Sequence, residues 1–407
     1  MNSSGRSARR VSCCVAMTVA LLLAATLMAV GAGDLTRLPG SGEQVGAAYQ
    51  PEITYMGQVQ QGVLLGPERV MTAVRNGSQK LQLILWEIDA AGNAARRTSR
   101  WSSDVIGFGE IALTGLTTTR AVTAHTDSDT GRAVFTVWDV AADNAISEVD
   151  SALGAYVYND DISHGRLLAL APLGATRFVS AVYLGFEVRL TVWDVVSGKL
   201  VAKSSVDTDM CWDMALGWLS TDRVITALST YSGQKLQLKV WNIDASGTIQ
   251  GAQSYVENRQ VGDLSIATDL THRVVTTYSR EEAAQNGRIE VIFWEIGGSG
   301  QIVRLGDSGT QVGEGDETAC AFLPYGNDDR FLIAVRSASN QLVVIAWTIS
   351  SGGQVLTRTD AVNISGAYLS PTPSMIFLDG NRVATGAVLQ YAGDDQEKLF
   401  VDVWQVD

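Results

Sequence analysis

The chain has 407 residues, 46% of them hydrophobic and 18% charged, and a formal net charge of −13. An acidic surface argues against a nucleic-acid partner, because phosphate contacts need clustered Lys and Arg. Glycine is frequent, with 40 residues, and proline is scarce, with 7. This composition suits many short strands that are joined by tight turns.

The first 33 residues have the pattern of an export signal. Arg6, Arg9 and Arg10 precede an apolar run without charge from Val11 to Gly33. A basic start, an apolar middle and small residues at the end predict a signal peptide over residues 1–33. At roughly 20 residues, the run is also long enough to stay as an uncleaved membrane anchor. We therefore expect a secreted or cell-surface protein, with a membrane partner only if this segment is not cleaved.

Residues 35–46, "LTRLPGSGEQVG", match residues 302–313, "IVRLGDSGTQVG", at seven of twelve positions. The later copy follows a long predicted strand that contains a Trp. The first copy follows only the leader, although it has the same pattern. This similarity predicts that residues 35–46 supply a strand to a unit whose other strands lie elsewhere in the chain.

Seven β-rich stretches carry a Trp near their end, at intervals of about 50 residues. Each combines aliphatic and β-branched residues, as in "LQLILWEID" and "VRLTVWDV", which is typical of strands. The seven are Trp86, Trp138, Trp193, Trp241, Trp294, Trp347 and Trp404. Both faces of these strands are apolar, as expected when both faces of a sheet are covered.

An Arg precedes each Trp and opens another predicted strand, as in "RVMTAV" and "RFVSAV". The seven are Arg69, Arg120, Arg177, Arg223, Arg273, Arg330 and Arg382. A turn and an apolar strand come before each Arg, and a shorter, more polar strand follows each Trp. The repeating unit therefore has four strands, which we call a to d, and we expect strand b to start at the Arg and strand c to end at the Trp.

One four-stranded unit cannot bury both of its faces, whereas units arranged around an axis cover each other. The sequence predicts an all-β, seven-bladed β-propeller over residues 34–407, with four antiparallel strands per blade. The last blade ends with strand c at Trp404. Residues 35–46 would then be its outer strand and would close the ring.

Strand c and its turn, "LTVWDVVSGKL" at residues 190–200, resemble the Trp-Asp end of a WD-repeat blade. Trp138-Asp139 and Trp193-Asp194 match that dipeptide, and the other five blades have a different residue after Trp. The repeat is also longer than the 40–45 residues of WD repeats. The resemblance therefore implies the propeller architecture and no WD-type partner.

The repeated Arg and Trp residues are interpreted as structural. In an antiparallel pair, the start of strand b lies beside the end of strand c. Each Arg is therefore expected near the Trp of its own blade, where it stacks on the ring or holds the c–d turn. A binding site rarely needs the same residue in all seven blades.

The b–c and d–a connections vary in sequence and share one end of the propeller, where binding surfaces of repeat proteins form. They are acidic and aromatic, and they include Tyr183, Phe186 and Tyr231. The candidate binding residues are Tyr158, Asp160, Asp161, His164, Asp209, Trp212, Asp316 and Tyr391.

Catalytic and metal motifs are weak. The three His residues fall in different blades or at opposite ends, which disfavours a zinc site or a Ser-His-Asp triad. "DSDTG" contains Asp127 and Asp129 in a calcium-loop spacing, without the further acids of an EF-hand. We expect no cofactor apart from this weak calcium candidate.

Three functions remain open. The first hypothesis is a binding or scaffold module for a protein, peptide or glycan. The second is an extracellular hydrolase or lyase that uses carboxylates of the variable end. The third is a structural subunit of an extracellular assembly.

Overall fold

The computed structural model describes residues 35–38, 49–55, 59–60, 63–64, 68–107, 111–158, 166–269, 272–282, 285–308, 315–323, 329–350, 354, 356–364, 367–369, 373–379, 381–391 and 398–407. Side chains of some strand residues in these ranges, including 49–68 and 390–398, are not described. The predicted signal peptide, residues 1–33, lies outside the described residues. In the described part of the chain, no helix has the length and apolar character that crossing a membrane requires.

The described residues form β-strands, which are numbered here in chain order. The first is β1 (Leu35–Arg37). Sheet 1 contains β2 (Tyr49–Tyr55), β5 (Glu68–Arg75), β6 (Lys80–Ile88) and β7 (Ala94–Val105). Between β2 and β5, β3 (Val59–Gln60) and β4 (Val63–Leu64) form a separate two-stranded hairpin. Sheet 2 contains β8 (Ala112–Thr117), β9 (Arg120–Thr126), β10 (Arg132–Val140) and β11 (Ile146–Tyr156).

Sheets 3 and 4 share one long strand. Sheet 3 contains β12 (Leu168–Gly174), β13 (Arg177–Tyr183), β14 (Glu187–Val196) and the first half of β15 (Lys199–Ser220). The second half of β15 forms sheet 4 with β16 (Arg223–Thr230), β17 (Lys235–Ile243) and β18 (Ile249–Gln260). Hence β15 is the outer strand of one sheet and the inner strand of the next.

The remaining sheets repeat this four-strand order. Sheet 5 contains β19 (Gly262–Thr268), β20 (Arg273–Glu282), β21 (Gln285–Ile296) and β22 (Ile302–Asp307). Sheet 6 contains β23 (Gly315–Leu323), β24 (Asp329–Ser337), β25 (Leu342–Ile349) and β26 (Leu356–Asn363). Sheet 7 contains β27 (Ala367–Leu369), β28 (Ser374–Asp379), β29 (Arg382–Tyr391) and β30 (Lys398–Val406).

All neighbouring strands in these sheets pair antiparallel in the order a, b, c, d. The expectation of an all-β chain that is built from antiparallel four-stranded sheets is therefore confirmed. Sheet 7 differs in that its strand a is split, since β27 and β28 both pair with β29.

The buried cores lie between sheets. Each core cluster combines residues of two sheets that are consecutive in the chain, such as Phe178 of sheet 3 with Phe135 of sheet 2. One further cluster joins Val70 and Trp86 of sheet 1 to Val388 and Val401 of sheet 7. This arrangement explains why β6 and β10 are buried on both faces.

Strand β1 pairs antiparallel with β30, so that Arg37 lies opposite Trp404 and Leu35 lies opposite Val406. In sheet 5, Arg304 lies opposite Trp294 and Ile302 lies opposite Ile296. The two copies of the sequence motif therefore have the same register against their third strands. The rest of the first copy, residues 39–46, lies outside the described residues.

Two sequence-based expectations about the strands are wrong. Strand d was expected to be short, yet β7 and β18 have 12 residues each. Their residues alternate between half-buried and exposed, so a long strand can be polar and still cover the edge of strand c. The third strand was expected to end at its Trp, but β14 continues to Val196, three residues past Trp193.

Candidate functional site

An exposed group of aromatic side chains lies where sheets 3 and 4 meet, at the end that carries the b–c and d–a connections. The rings of Trp212 and Tyr231 stack, with centroids 4.8 Å apart and planes at 21°. The ring of Phe186 meets Tyr231 at 90°, with centroids 5.4 Å apart. Phe186 is 47% exposed and Tyr231 is 41% exposed, although both are large and apolar.

Backbone hydrogen bonds hold these side chains in place. The N–H of Cys211 donates to the carbonyl of Phe186 at 2.7 Å, and the N–H of Tyr231 donates to the carbonyl of Met210 at 2.9 Å. The indole Nε1 of Trp212 donates to the carbonyl of Tyr231 at 3.3 Å. The passage of β15 from sheet 3 to sheet 4 therefore brings together two hairpin turns, one from each sheet. Met210, on this passage, is itself 49% exposed.

Tyr158 extends this group on the side of sheet 3. Its N–H donates to the carbonyl of Tyr183 at 3.2 Å, and its ring lies over Gly185. Gly185 has φ +109°, and a Cβ at this position would lie 2.9 Å from the Tyr158 ring. Only glycine suits both the backbone conformation and the close ring. We call Tyr158, Phe186, Met210, Trp212 and Tyr231 the aromatic patch.

Two acidic side chains beside the aromatic patch have basic partners. Asp209 accepts a hydrogen bond from the Gln237 amide at 2.9 Å and lies 3.8 Å from the Lys239 ammonium. Asp207 is held by both guanidinium nitrogens of Arg189, at 2.7 and 2.9 Å. That hydrogen-bonded ion pair keeps the pKa of Asp207 below its ordinary value. These two carboxylates are therefore paired, and Glu187, which follows Phe186 and lies opposite Met210, adds a further carboxylate beside the patch.

The structure brings together three of the candidate binding residues that the sequence predicted, namely Tyr158, Asp209 and Trp212. Asp316 lies elsewhere, on β23 of sheet 6, where Arg336 donates to both of its carboxylate oxygens at 2.8 Å. Hydrogen bonding to Asp316 raises the pKa of Arg336 further above its ordinary value. This arrangement makes Asp316 a partner in an ion pair.

For the other four candidates, no side chain is described. Asp160, Asp161 and His164 lie outside the described residues. The backbone of Tyr391 pairs with Ala367, and its side chain is not described. The part that these four residues play at the end with the b–c and d–a connections therefore stays a prediction.

Asp127 of the weak calcium motif serves its own hairpin turn. Its Oδ1 accepts hydrogen bonds from the Thr130 N–H at 2.8 Å and from the Thr130 hydroxyl at 2.6 Å. The hydroxyl contact is the main reason why the pKa of Asp127 is lowered. Asp129 accepts a hydrogen bond from Ser128 at 3.3 Å. Among the described residues, no group of three or more His, Cys, Asp or Glu side chains could hold a metal ion.

The repeated Trp residues are buried and hydrogen-bonded in a way that the sequence analysis missed. Their indole Nε1 atoms donate, at 2.9–3.0 Å, to a hydroxyl three residues after the repeated Arg: Trp86 to Thr72, Trp138 to Thr123, Trp193 to Ser180, Trp241 to Thr226, Trp294 to Thr276 and Trp404 to Thr385. The seventh, Trp347, faces Ile333 at this position, and its Nε1 has no partner. The Thr or Ser three residues after six of the seven Arg residues was the available signal.

The repeated Arg residues connect one sheet to the next. Arg177 pairs with Asp194 beside Trp193, as the antiparallel register dictates, and its nitrogens also reach the turn of sheet 4. Five of the Arg residues donate to a backbone carbonyl of the following sheet: Arg69 to Thr118, Arg177 to Ala245, Arg223 to Gly298, Arg330 to Asp407 and Arg382 to Asp89. For these five, the carbonyl that the Arg holds therefore belongs to the neighbouring sheet, whereas Arg120 pairs with Asp139 and Arg273 with Asp269 of their own sheets.

Comparisons with known proteins place the fold. No protein-family model matches the chain, and no curated protein matches it. Among solved structures, a protein from Lactobacillus plantarum is similar at a TM-score of 0.51 and 10% identity, over 73% of this chain and 85% of that chain. Hydrazine synthase from Kuenenia stuttgartiensis is similar at a TM-score of 0.50 and 14% identity, over 80% and 93%.

An alpha-L-arabinanase from Penicillium chrysogenum, complexed with arabinobiose, covers more of the chain at a lower score. Its TM-score is 0.45 at 9% identity, over 91% of this chain and 97% of that chain. Identities this low bear on the fold alone, because unrelated functions share the same architecture. The chain has an all-β, β-propeller-like fold.

Proposed function

We propose that this protein is a glycan-binding module, built as a seven-bladed β-propeller that β1 closes, and that the aromatic patch is its binding surface. The observation that carries the proposal is the stacked pair of Trp212 and Tyr231 with Phe186 at an exposed end of the molecule. Exposed, contiguous apolar groups that are surrounded by polar residues mark interaction sites.

The flanking groups favour a neutral, hydroxyl-rich ligand. A sugar ring has a face of C–H groups that can lie on an aromatic ring and an edge of hydroxyl groups. Asp209, Gln237 and Lys239 supply acceptors and donors beside the patch. Asp209 is shared with Lys239 and Asp207 with Arg189, so these two carboxylates already have cationic partners and are not free to hold a cationic peptide.

The test is a glycan array followed by titration calorimetry with the best ligand. Replacing Trp212 or Tyr231 with Ala is expected to weaken binding by roughly 30-fold, as for an aromatic residue at the centre of an interface. Trp101, which is 53% exposed on sheet 1, supplies the matched control, since Trp101→Ala should leave the affinity unchanged. An array without any bound glycan, or equal losses in the Trp212 and Trp101 variants, would refute the proposal.

Export belongs to the same proposal and rests on residues 1–33. Because this segment combines a basic start, an apolar run and small residues at its end, we propose that it directs secretion and is removed near Ala32 or Gly33. Sequencing of the mature N-terminus tests it, and a protein that retains Val11–Gly33 would be anchored instead. The hydrolase and subunit hypotheses stay predictions.

A further inference from the structure

Two described Asn residues begin the triplet Asn-x-Ser, which is the acceptor pattern for N-linked glycans in exported proteins. They are Asn76, in "NGS", and Asn363, in "NIS". A further triplet of this kind, "NSS" at Asn2, falls within the predicted signal peptide. The sequence treats Asn76 and Asn363 alike, whereas the structure separates them, because a glycan on a folded protein has to extend into solvent.

Asn76 is enclosed by the turn between β5 and β6 and is only 9% exposed. Its side-chain Oδ1 accepts the backbone N–H groups of Ser78 and Lys80 at 2.9 and 3.0 Å. Its own N–H donates to the carbonyl of Lys80 at 3.0 Å, and its carbonyl accepts the N–H of Gln79 at 2.8 Å. Its Nδ2, the atom that would carry a glycan, is buried. A sugar on this nitrogen would therefore have to open the turn and break these hydrogen bonds.

Asn363 is exposed at the end of β26, the outer strand of sheet 6, where it lies opposite Val343. Its Nδ2 donates to the Oε1 of Gln341 at 2.9 Å, in a contact that is open to solvent. The next residue, Ile364, is 5% exposed, and its N–H donates to the carbonyl of Leu342 at 3.0 Å. The backbone beside Asn363 is thus fixed to the sheet while the Asn side chain faces solvent.

We propose that Asn363 carries an N-linked glycan in the exported protein and that Asn76 does not. The sugar donor is an oligosaccharide on a lipid diphosphate. A bond forms between the Asn363 Nδ2 and the anomeric carbon, and the bond from that carbon to the diphosphate oxygen breaks. The lipid diphosphate leaves with the electron pair, and one amide proton passes to a base of the transferase. The second amide hydrogen stays on Nδ2, so the hydrogen bond to Gln341 is compatible with the glycan.

Folding makes the selection even where transfer precedes it. A glycan on Asn76 of the unfolded chain would exclude the β5–β6 turn, whereas a glycan on Asn363 would leave every backbone hydrogen bond of sheet 6 intact. The site lies on sheet 6, apart from the aromatic patch of sheets 3 and 4, and does not depend on glycan binding there. It rests on the proposed export, because the transferase and its lipid-linked donor belong to the secretory pathway.

The first experiment expresses the full chain in a eukaryotic secretory host and treats the secreted, folded protein with peptide N-glycosidase. This enzyme converts a glycosylated Asn into Asp, which peptide mass spectrometry detects. We expect conversion at Asn363 and none at Asn76. A secreted protein without conversion at Asn363, or with conversion at Asn76, would overturn the proposal.

Matched variants remove each triplet without changing its Asn. Ser365→Ala should abolish the single step in electrophoretic mobility that the glycosidase causes in the native protein. Ser78→Ala should leave that step unchanged, and it keeps the Asn76 turn, because Ser78 donates through its backbone N–H. Circular dichroism verifies that both variants are folded. A mobility step that survives Ser365→Ala would refute the assignment to Asn363.

A second version of the chain separates this inference from the export proposal by replacing residues 1–33 with an established secretory signal. If the native leader fails to export the chain and this version is glycosylated at Asn363, the export proposal is wrong and the glycan site is supported. If this version is secreted without a glycan at Asn363, the glycan site is refuted, whatever the native leader does.

Discussion

At the scale of single residues, six of the seven repeated Trp residues fasten strand c to strand b by a hydrogen bond to a Thr or Ser hydroxyl. In the native protein, the Nε1 of Trp294 lies 2.9 Å from the hydroxyl of Thr276. Thr276→Val keeps the shape of the side chain but leaves this Nε1 without an acceptor. A buried donor that loses its partner costs about 1–3 kcal/mol. Urea unfolding should show this loss in free energy of unfolding.

The control for this prediction is Ile333→Val in sheet 6, where Trp347 already lacks an acceptor. That change removes one methylene and should cost only about 1 kcal/mol. Each loss in free energy of unfolding is first corrected for the apolar surface that the substitution changes. If the two corrected losses are equal, the Trp–Thr hydrogen bond contributes nothing measurable.

Asp213 predicts a specific pH dependence of stability. Burial raises its pKa to about 6 from the model-compound value of 3.8, despite the backbone N–H groups that oppose the shift. The folded state therefore holds this proton more tightly than the unfolded state. The resulting stabilisation, about 3 kcal/mol, is present below pH 3.8 and is lost as the pH rises through about 6.

The measurement compares the unfolding free energies of the native protein and Asp213→Asn from pH 4 to pH 7. Other titrating groups contribute equally to both proteins, so their difference isolates Asp213. The advantage of the native protein over the variant should shrink as the pH rises. A difference that is independent of pH would contradict the raised pKa.

At the scale of elements, β1 is held to β30 by a buried charge as well as by backbone pairing. The Arg37 guanidinium donates to Asp402 at 2.7 Å, and Asp402 is only 1% exposed. Burial raises the pKa of Asp402, and Arg37 opposes that shift. Arg37→Ala should therefore cost about 3 kcal/mol, because it leaves a buried carboxylate without its partner.

Replacing both Arg37 and Asp402 separates the contribution of the ion pair from that of the backbone pairing between β1 and β30. Other sheets have Thr136 or Thr191 two residues before the Trp, where sheet 7 has Asp402. Arg37→Ala combined with Asp402→Thr should therefore recover most of the stability that Arg37→Ala loses in urea unfolding. Thr36→Ala, on the exposed side of β1, should change stability by less than about 0.5 kcal/mol. No recovery in the double variant would mean that Arg37 acts by packing alone.

The same strands indicate what a sequence can predict. An Arg and a Trp, such as Arg177 and Trp193, recur with similar neighbours in every repeat. The Arg marks the start of strand b and the Trp lies near the end of strand c, because each occupies the same position in a repeated packing. The bulges were not predictable: in sheets 1–6 the c–d register shifts just before the Trp, as between Val192 and Trp193. A bulge inserts an extra residue that local backbone geometry and the pairing of the two strands determine, and the polar, variable strand d has no fixed residue that marks it.

The candidate site was less predictable than the strands. Trp212 was selected because it lies in a variable connection, but its contact with Tyr231 and Phe186 depends on how β15 crosses between two sheets. Tyr183 was counted among the loop aromatics, yet it is 2% exposed because β13 extends through it and its hydroxyl donates to Gly185. Which loop aromatics face solvent depends on the exact residue at which a strand ends.

At the scale of the whole molecule, the contacts between sheets 7 and 1 are of the same kind as those between other neighbours. A core cluster joins the two sheets, and the Arg382 guanidinium donates to the carbonyl of Asp89 at 3.2 Å. Arg223 makes the equivalent contact to Gly298 at 3.1 Å. Under the proposed closed ring, the place where the chain starts should therefore have little influence on stability.

Circular permutation tests this directly. Leu35 lies opposite Val406, as Ile302 lies opposite Ile296, and residues 297–301 join the latter pair. A copy of that turn, "GGSGQ", can therefore connect Val406 to Leu35, while new termini open between Gly298 and Ser299. The permuted chain gains one hairpin closure and loses another of the same length, so its loop entropy is unchanged.

We expect this permutant to melt in one transition, within a few degrees of the original chain, by circular dichroism. A second permutant that opens between Gln237 and Leu238, inside the buried third strand of sheet 4, should fail to fold because it breaks a strand that pairs on both sides. If the first permutant also fails, or melts in two transitions, then sheets 7 and 1 are not joined as their contacts imply. The proposed closure of the ring by β1 would then be wrong.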